Sequence, residues 1–379
     1  MRVIHCLRSP VGGLFRHVRD LATGQAARGH QVGIICDANT GGAQADTALE
    51  QLGRACELGI LRTDMGRIPG PADIGAYRTI SRHVRASRPQ IIHGHGAKGG
   101  AFARLCASAE GPLAIYTPHG GSLHYSGKSA SGALFLGLEK LLKPRTAGFV
   151  FVAQFEQAAF TTKVGSYAGQ DVIVHNGLNA EELVPVEPEP DADDFGFIGE
   201  LRELKGVDLV IKGLAAVNEH RPATAVFAGS GSQETELRKL AQAVGVEGKI
   251  TFAGHQPARK LFAMARNIIL PSRAESFPYA VLEAAGAKRP LITTNVGGIP
   301  EIFGPQKDLL LPPDAEAAVA RAMRQALQDP ARHLSQAETL HARIAREFNV
   351  DVMVDKISAF YDTVLAAHNS AEIRQKSAA

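Results

Sequence analysis

The 379-residue sequence has no tryptophan, and aromatic residues make up only 6% of it. It also lacks any run of about 18 apolar residues, so no segment reads as a membrane-spanning helix. Its four cysteines, Cys6, Cys36, Cys56 and Cys106, are scattered with no metal-type spacing. That argues against a disulfide framework and fits a reducing compartment. The opening residues MRVIHCLRSP lack the apolar core of about 7–15 residues that marks a signal peptide. Net charge is also scarce. The formal value of +3 is too small to argue for nucleic acid as a partner. A cytoplasmic protein is therefore expected, one that at most docks at the inner face of the cytoplasmic membrane.

Glycine, by contrast, is abundant at 39 residues, as suits a fold with many tight strand-to-helix turns. The chain is 45% apolar and 21% charged, and at roughly 100–200 residues per domain its length suggests two domains. Residues 1–185 carry 19 Lys/Arg against 13 Asp/Glu, or +6; the remainder carries 22 against 25, or −3. Short apolar runs alternate with helical stretches. Met1–Leu7, Gln31–Cys36, Ile91–His93, Leu113–Thr117, Gly148–Val152 and Asp171–Val174 read as strands, with helices over Gly12–Arg28 and Ile74–Ser87. Residues 186–194, acidic and proline-rich, read as a linker. The pattern then restarts with strands near Phe195–Gly199, Thr224–Ala228, Lys249–Phe252, Asn267–Leu270 and Pro290–Thr293. Helices are expected over Val207–Val217, Pro278–Lys288, Glu316–Gln328, Ser335–Arg346 and Asp351–Ala367, and a frayed tail after that. Alternation of this kind builds βαβ units on parallel sheets.

The stretch PSRAESFPYAVLE carries Glu275 in a loop at a strand's carboxyl end and Glu283 in the helix that follows. Open α/β sheets bind ligands at that end. Pro278 suits a first helical position, and the helix start offers the N–H groups of Ser276, Phe277 and Tyr279 to an anion or to hydroxyls. A carboxylate can accept from two neighbouring sugar hydroxyls at once. Acids also favour a helix's first turn for electrostatic reasons, so both readings of the two glutamates stand on this stretch alone. In FGFIGELRELKG, Arg202 and Lys205 follow a strand and can neutralise a diphosphate. FAGSGS places Gly229 in a glycine-rich turn, but Glu234 holds the last position of G-x-G-x-x-G, so this is no dinucleotide fingerprint.

In the first half, Gly12 and Gly13 of SPVGGLFRH occupy the first strand-to-helix turn, where backbone amides can approach phosphate. IIHGHGAKGG supplies His93, His95 and Lys98, and YTPHGG supplies His119, each expected directly after a strand. A histidine there can be an acceptor-site base or a neutral hydrogen-bonding group. Separate strand ends without cysteine or paired acid nearby argue against a metal. The acids Asp191 and Asp193 lie in the expected linker and read as solvated.

GGLFRH, HGHGAKGG, TPHG, VIVHNGLN, GELRELKG, FAGSGS, ESFPYAVLE and NVGGIPE occur in one order that resembles glycosyltransferase family 4 over nearly the whole chain. The resemblance implies an α/β GT-B fold: two Rossmann-like, doubly wound domains facing across a cleft. The first would be acceptor-side, 1–185, joined by a C-terminal helix within 351–379 that packs back on it; the second, 195–350, would bind the donor nucleotide. It implies a retaining, sugar-nucleotide-dependent transferase. Glu275 then matches the glutamate on the donor sugar, Glu283 the one on the ribose and Lys205 the lysine on the diphosphate. Gly13 matches an amide near the phosphates and His119 the histidine beside the sugar, while the backbone of Phe277–Tyr279 cradles hydroxyls. Catalytic candidates are thus Glu275, His119 and Lys205, and the acceptor-side candidates are His93, His95 and Lys98. The family usually has arginine where this chain has Glu200; Arg202 can supply that charge instead.

The expected function is transfer of a sugar from a nucleotide sugar to a saccharide or lipid-linked saccharide in cell-surface polysaccharide or lipopolysaccharide synthesis. No cofactor or metal is expected. Arg78, Arg82, Arg85 and Arg88 on one helix suit an anionic membrane surface, or are a solvated face. The alternatives are a sugar-nucleotide epimerase of the same fold, a non-catalytic nucleotide-sugar-binding module and an NAD-dependent oxidoreductase. The missing G-x-G-x-x-G opposes the last.

Overall fold

The computed structural model describes residues 1–108, 111–124 and 129–378. The chain forms two compact units, Met1–Asn176 with Val350–Ala379, and Gly177–Asn349. Ala379, the end of the expected C-terminal segment, lies outside the described residues.

Among the described residues the first unit has seven strands: β1 (Arg2–Leu7), β2 (Gln31–Asp37), β3 (Ile60–Thr63), β4 (Ile91–His95), β5 (Leu113–Thr117), β6 (Gly148–Phe151) and β7 (Gln170–Ile173). They pair in the order β3-β2-β1-β4-β5-β6-β7, and every pairing is parallel. Its helices are α1 (Gly12–Ala27), α2 (Gly42–Gly53), α3 (Ala72–Ser87), α4 (Gly96–Cys106), α5 (Ala130–Leu142) and α6 (Gln154–Val164). Successive strand residues point to opposite faces. Val3 and Ile91 pack with Leu21 of α1, whereas Ile4 and Ile92 pack with Ile80 and Val84 of α3. Burial on both faces explains the near-continuous apolar strands. Register aligns Leu7 with His95 and His95 with Thr117, so β1, β4 and β5 end level.

The C-terminal helix, Val350–Ala378, completes this core: Val354, Ile357 and Tyr361 are fully buried against Val3, Ile91 and Val150. Burying such side chains is worth about 1.5–3 kcal/mol each. The helix also carries Asp351 and Asp355, which pair with Arg28 but are 83% and 64% exposed. Exposed pairs contribute about 0–1 kcal/mol, so apolar burial decides the docking. The helix runs through Ala378, past the point where a frayed tail was expected, on a run of good helix formers.

The second unit has β8 (Asp193–Ile198), β9 (Ala225–Ala228), β10 (Ile250–Gly254), β11 (Ala265–Leu270) and β12 (Leu291–Thr293), all parallel, in the order β10-β9-β8-β11-β12. Between and after them lie α7 (Val207–Asn218), α8 (Glu234–Ala243), α9 (Ala258–Met264), α10 (Tyr279–Gly286), α11 (Ile299–Phe303), α12 (Glu316–Gln328) and α13 (Pro330–Glu347). The strand order reverses between β8 and β11. The loops leaving their carboxyl ends, 199–206 and 271–278, flank the switch point where open sheets bind ligands.

Candidate active site

At that switch point Lys205 Nζ lies 2.5 Å from Glu275 Oε1, and Ser272 Oγ donates to the same oxygen at 2.8 Å. The lysine and glutamate side chains are only 20% and 13% exposed. Two loops far apart in sequence thus bring the cation and carboxylate singled out by pattern into direct contact. Arg273 holds the loops in place. Its guanidinium donates to both oxygens of Asp208, at 2.8 and 2.7 Å, to Asp314 at 2.8 Å and to the Glu203 carbonyl at 2.7 Å. Arg273 therefore clamps its own loop onto the turn that carries Lys205, with the fork geometry that suits arginine to a carboxylate. Beneath Glu275, the Gly298 N–H donates to the Ser276 carbonyl at 2.7 Å. A Cβ on Gly297, at φ +58, would fall 2.0 Å from the Glu275 carbonyl oxygen, so glycine is required there.

Arg202 lies 3.2 Å from Glu200, and both are largely exposed. The acid at the unusual position is therefore matched locally. Gly229 follows β9, and a Cβ on it would sit 1.9 Å from the Gly199 carbonyl oxygen, so this turn closes tightly on the end of β8. Pro278 is the N-cap of α10, with ψ 125, and not its first helical residue. The correction follows from hydrogen bonding: its carbonyl accepts the first helical bond, from Leu282. Glu283 lies within α10, half-buried, and Phe277 stacks on Phe348 with ring centres 5.9 Å apart.

In the first unit Gly12, at φ +73, opens α1 on an exposed turn shared with Gly13. His93 and His95 do not follow a strand, as expected; both lie within β4 and are 0% and 1% exposed. His93 is enclosed between Tyr361 and Thr117, whereas His95 lines the cavity described below. Lys98, in α4, pairs with Asp73 at 2.6 Å. His119 follows β5, which is an interior strand, and is half-buried at φ +52, a strained value for a residue with a Cβ. A cavity of about 230 Å³ at the carboxyl ends of β1 and β4 is lined by Arg8, Arg67 and Lys98 among others.

The histidines are not apart, as their sequence positions suggested. His5 Nε2–H donates to Gln25 Oε1 at 2.9 Å, His95 Nε2–H to His5 Nδ1 at 3.0 Å and His119 Nε2–H to His95 Nδ1 at 3.1 Å. His17 Nδ1–H donates to Asn176 Oδ1 at 3.0 Å. His93 bridges Tyr361 and Thr117 at 2.5 and 2.8 Å. Burial pushes His5 and His17 down to about 4, and pushes His93, His95 and His119 well below the usual imidazole range, so the rings are neutral. Two trios, His5–His93–His95 and His17–His95–His119, each bring three ring nitrogens within 4.8 Å of one another.

Residues 12–177 match the model for the glycosyl transferase 4-like domain, and residues 180–343 match that for glycosyl transferases group 1. The protein is a GT-B glycosyltransferase. The glycogen synthase of Mycobacterium tuberculosis is 25% identical over 377 residues, spanning 93% of this chain and 91% of its own. Among solved structures, Anabaena HepE in complex with UDP-glucose superposes with TM-score 0.78 at 19% identity, covering 96% of this chain and all of that one. WaaG, a glycosyltransferase involved in lipopolysaccharide biosynthesis, gives 0.71 at 15%, covering 95% and 99%.

Several residues that shape this glycosyltransferase were not singled out from sequence. Arg273 and Ser272 sit inside the quoted PSRAES stretch, but their role depends on Asp208, 65 residues away in the chain. Glu156, buried at the start of α6, accepts from the N–H groups of Gly120 and Val152 and so anchors the His119 loop. His5 and His17 were the readable omissions. His93 and His95 are two residues apart in a strand, which puts them on one face, and β1 brings His5 beside His93.

Proposed function

We propose that this glycosyltransferase is a retaining enzyme that takes its sugar from a nucleotide diphosphate donor held in the second unit. The Lys205–Glu275 contact at the switch point carries this reading. A diphosphate would draw Lys205 away from Glu275 and leave the carboxylate to accept from two sugar hydroxyls. Lys205 and Arg202 would offset the charge that develops on the leaving diphosphate, and losing one such contact costs about 3 kcal/mol, or 10²-fold in rate. Glu283 would hold the ribose, and the backbone of Ser276–Tyr279 the sugar, beside the Gly229 turn. For the reaction we infer front-side attack: the acceptor oxygen bonds the anomeric carbon as its bond to the diphosphate oxygen breaks, and that oxygen takes the acceptor's proton. Double displacement would need a carboxylate beneath the anomeric carbon, and a glycosyl adduct trapped on Glu275 would replace front-side attack with it. No metal has a part in this chemistry.

HepE has been solved with UDP-glucose and WaaG acts in lipopolysaccharide biosynthesis, which favours a UDP-sugar donor and a saccharide or lipid-linked acceptor at a cell-surface pathway. The cationic lining of the first-unit cavity, Arg8 and Arg67 with Lys98, suits an acceptor that carries phosphate or carboxylate. His119 would hydrogen-bond the sugar as a neutral group. A thermal-shift panel of UDP, GDP and ADP sugars is expected to select one nucleotide. Glu275→Ala should nearly abolish transfer while nucleotide affinity changes little. Full transfer by that variant would remove Glu275 from the site, and isomerisation of a sugar nucleotide without acceptor would favour an epimerase.

A further inference from the structure

We propose that Gln25, acting through His5 and His95, fixes the tautomer of His119 so that its Nδ1 accepts a hydrogen bond from a hydroxyl of the donor sugar. This rests on the placement of His119 beside that sugar, and adds what sets the direction of the contact.

A neutral imidazole has one N–H and one lone pair, so the bond made at one nitrogen decides what the other can do. Burial keeps His5, His95 and His119 neutral. Joined end to end, such rings hand the constraint along. Gln25 Oε1 can only accept, so His5 donates to it from Nε2 and turns its Nδ1 lone pair to His95. His95 donates from Nε2 in turn and offers Nδ1 to His119. His119 therefore carries its proton on Nε2, and its Nδ1 is a lone pair with no partner among the described residues.

The chain leads from the core to the sheet's carboxyl end. Gln25 comes from α1 and His5 from β1, and both are 0% exposed. His95 ends β4, and half-buried His119 lies in the loop after β5. Gln25 and His5 are too deep to touch a substrate, so theirs is a positioning role. Packing alone does not account for Gln25. Its amide nitrogen, on the Tyr361 side, makes no full hydrogen bond, and a buried donor left unmade costs about 1–3 kcal/mol. What Gln25 contributes is its carbonyl. The backbone of His119 is set as well, since Glu156 accepts from the Gly120 N–H beside it and holds the φ of +52.

A lone pair on Nδ1 requires the sugar hydroxyl to donate. Fluorine in place of that hydroxyl cannot donate, so the tautomer becomes a preference for hydroxyl at one position of the sugar. The inductive effect of fluorine on the reaction is common to all variants and cancels when they are compared.

The test uses the full chain labelled with ¹⁵N in histidine, whose nitrogen shifts distinguish a protonated nitrogen from a lone pair. The His119 signals are assigned by their loss in His119→Asn, chosen because asparagine tolerates positive φ. Wild type should show the proton on Nε2 and none on Nδ1. Gln25→Met, similar in size but without the acceptor, should give a mixture of both tautomers. His5→Leu cuts the chain one link later and should do the same. Circular dichroism and melting establish that the variants fold. Kinetics then use the nucleotide sugar chosen by the thermal-shift panel and its singly deoxyfluorinated analogues. One analogue should lose at least tenfold in kcat/KM with the wild type, and Gln25→Met should narrow that gap at the same position and no other. A proton on His119 Nδ1, or a tautomer unmoved in folded Gln25→Met and His5→Leu, would overturn the proposal. A tautomer that shifts as expected while every analogue is treated alike by wild type and His119→Asn would instead remove His119 from the sugar, and with it the reading beneath the proposal.

Discussion

Arg273 is expected to govern the site through the loops it ties together. Its fork spans Asp208 and Asp314, so Arg273→Ala leaves a partly buried Asp208 unpaired and should lower unfolding free energy by about 2 kcal/mol. The larger effect falls on kcat/KM, expected to drop about 10²-fold, because the Glu275 loop is no longer clamped to the Lys205 turn and small misplacements are costly in a reacting site. Arg273→Lys keeps the charge but not the fork, and should recover stability more than rate. Steady-state kinetics beside urea unfolding separates the two; equal losses in both variants would contradict the clamp. The cysteines permit a second prediction. Burial pushes Cys36 up to about 12 and Cys56 and Cys106 to about 11, with Cys6 also raised well above the ordinary thiol. At pH 8 the thiolate fraction is then about 10⁻³ or less. A disulfide exchange reagent should label less than one thiol in minutes in the native protein and all four after unfolding.

At the scale of elements, two glycines in helices should respond oppositely to the same change. Gly75 in α3 has no atom within 4 Å of a built Cβ, so Gly75→Ala should stabilise by up to about 1 kcal/mol through helix propensity. Gly24 in α1 would place its Cβ 2.6 Å from Val354 Cγ2 on the C-terminal helix. Overpacking against a stiff, fully buried valine costs about 1–3 kcal/mol and outweighs the propensity gain, so Gly24→Ala should destabilise. Thermal melts of both variants check the pair; stabilisation by Gly24→Ala would mean that the two helices slide apart cheaply. The same scale shows what was legible in the sequence. Long periodic helices were, and α12 has the expected ends, Glu316 and Gln328. The short edge strand β3, half-buried along its length, gave no period to detect. Lys205 and Glu275 were legible as types at strand ends, but their contact depends on strand order. The histidine cluster was hidden for the same reason: its members come from α1, β1, β4 and the loop after β5, and only parallel register brings them level.

For the whole molecule, the second unit is continuous in sequence and has its own sheet, whereas the first is completed by residues from the far end of the chain. A fragment of residues 177–349 should therefore unfold cooperatively by itself and retain a melting shift with the nucleotide sugar that stabilises the full chain. A fragment of residues 1–176 should be insoluble or molten, because Val3, Ile91 and Val150 lose their cover of Val354, Ile357 and Tyr361. A cooperative melt of 1–176 would contradict the weight given to that helix. The discontinuity also sets an order of events during synthesis. The ribosome makes the first sheet early, yet its last covering helix emerges only after the second unit has been made. Until then an apolar face waits uncovered while 173 later residues, 177–349, are made and fold. At about 5–20 residues per second that wait lasts on the order of 10–30 seconds. The nascent chain is thus expected to depend on holding chaperones, and slowing translation of the second unit should lower soluble yield without changing the stability of the finished enzyme.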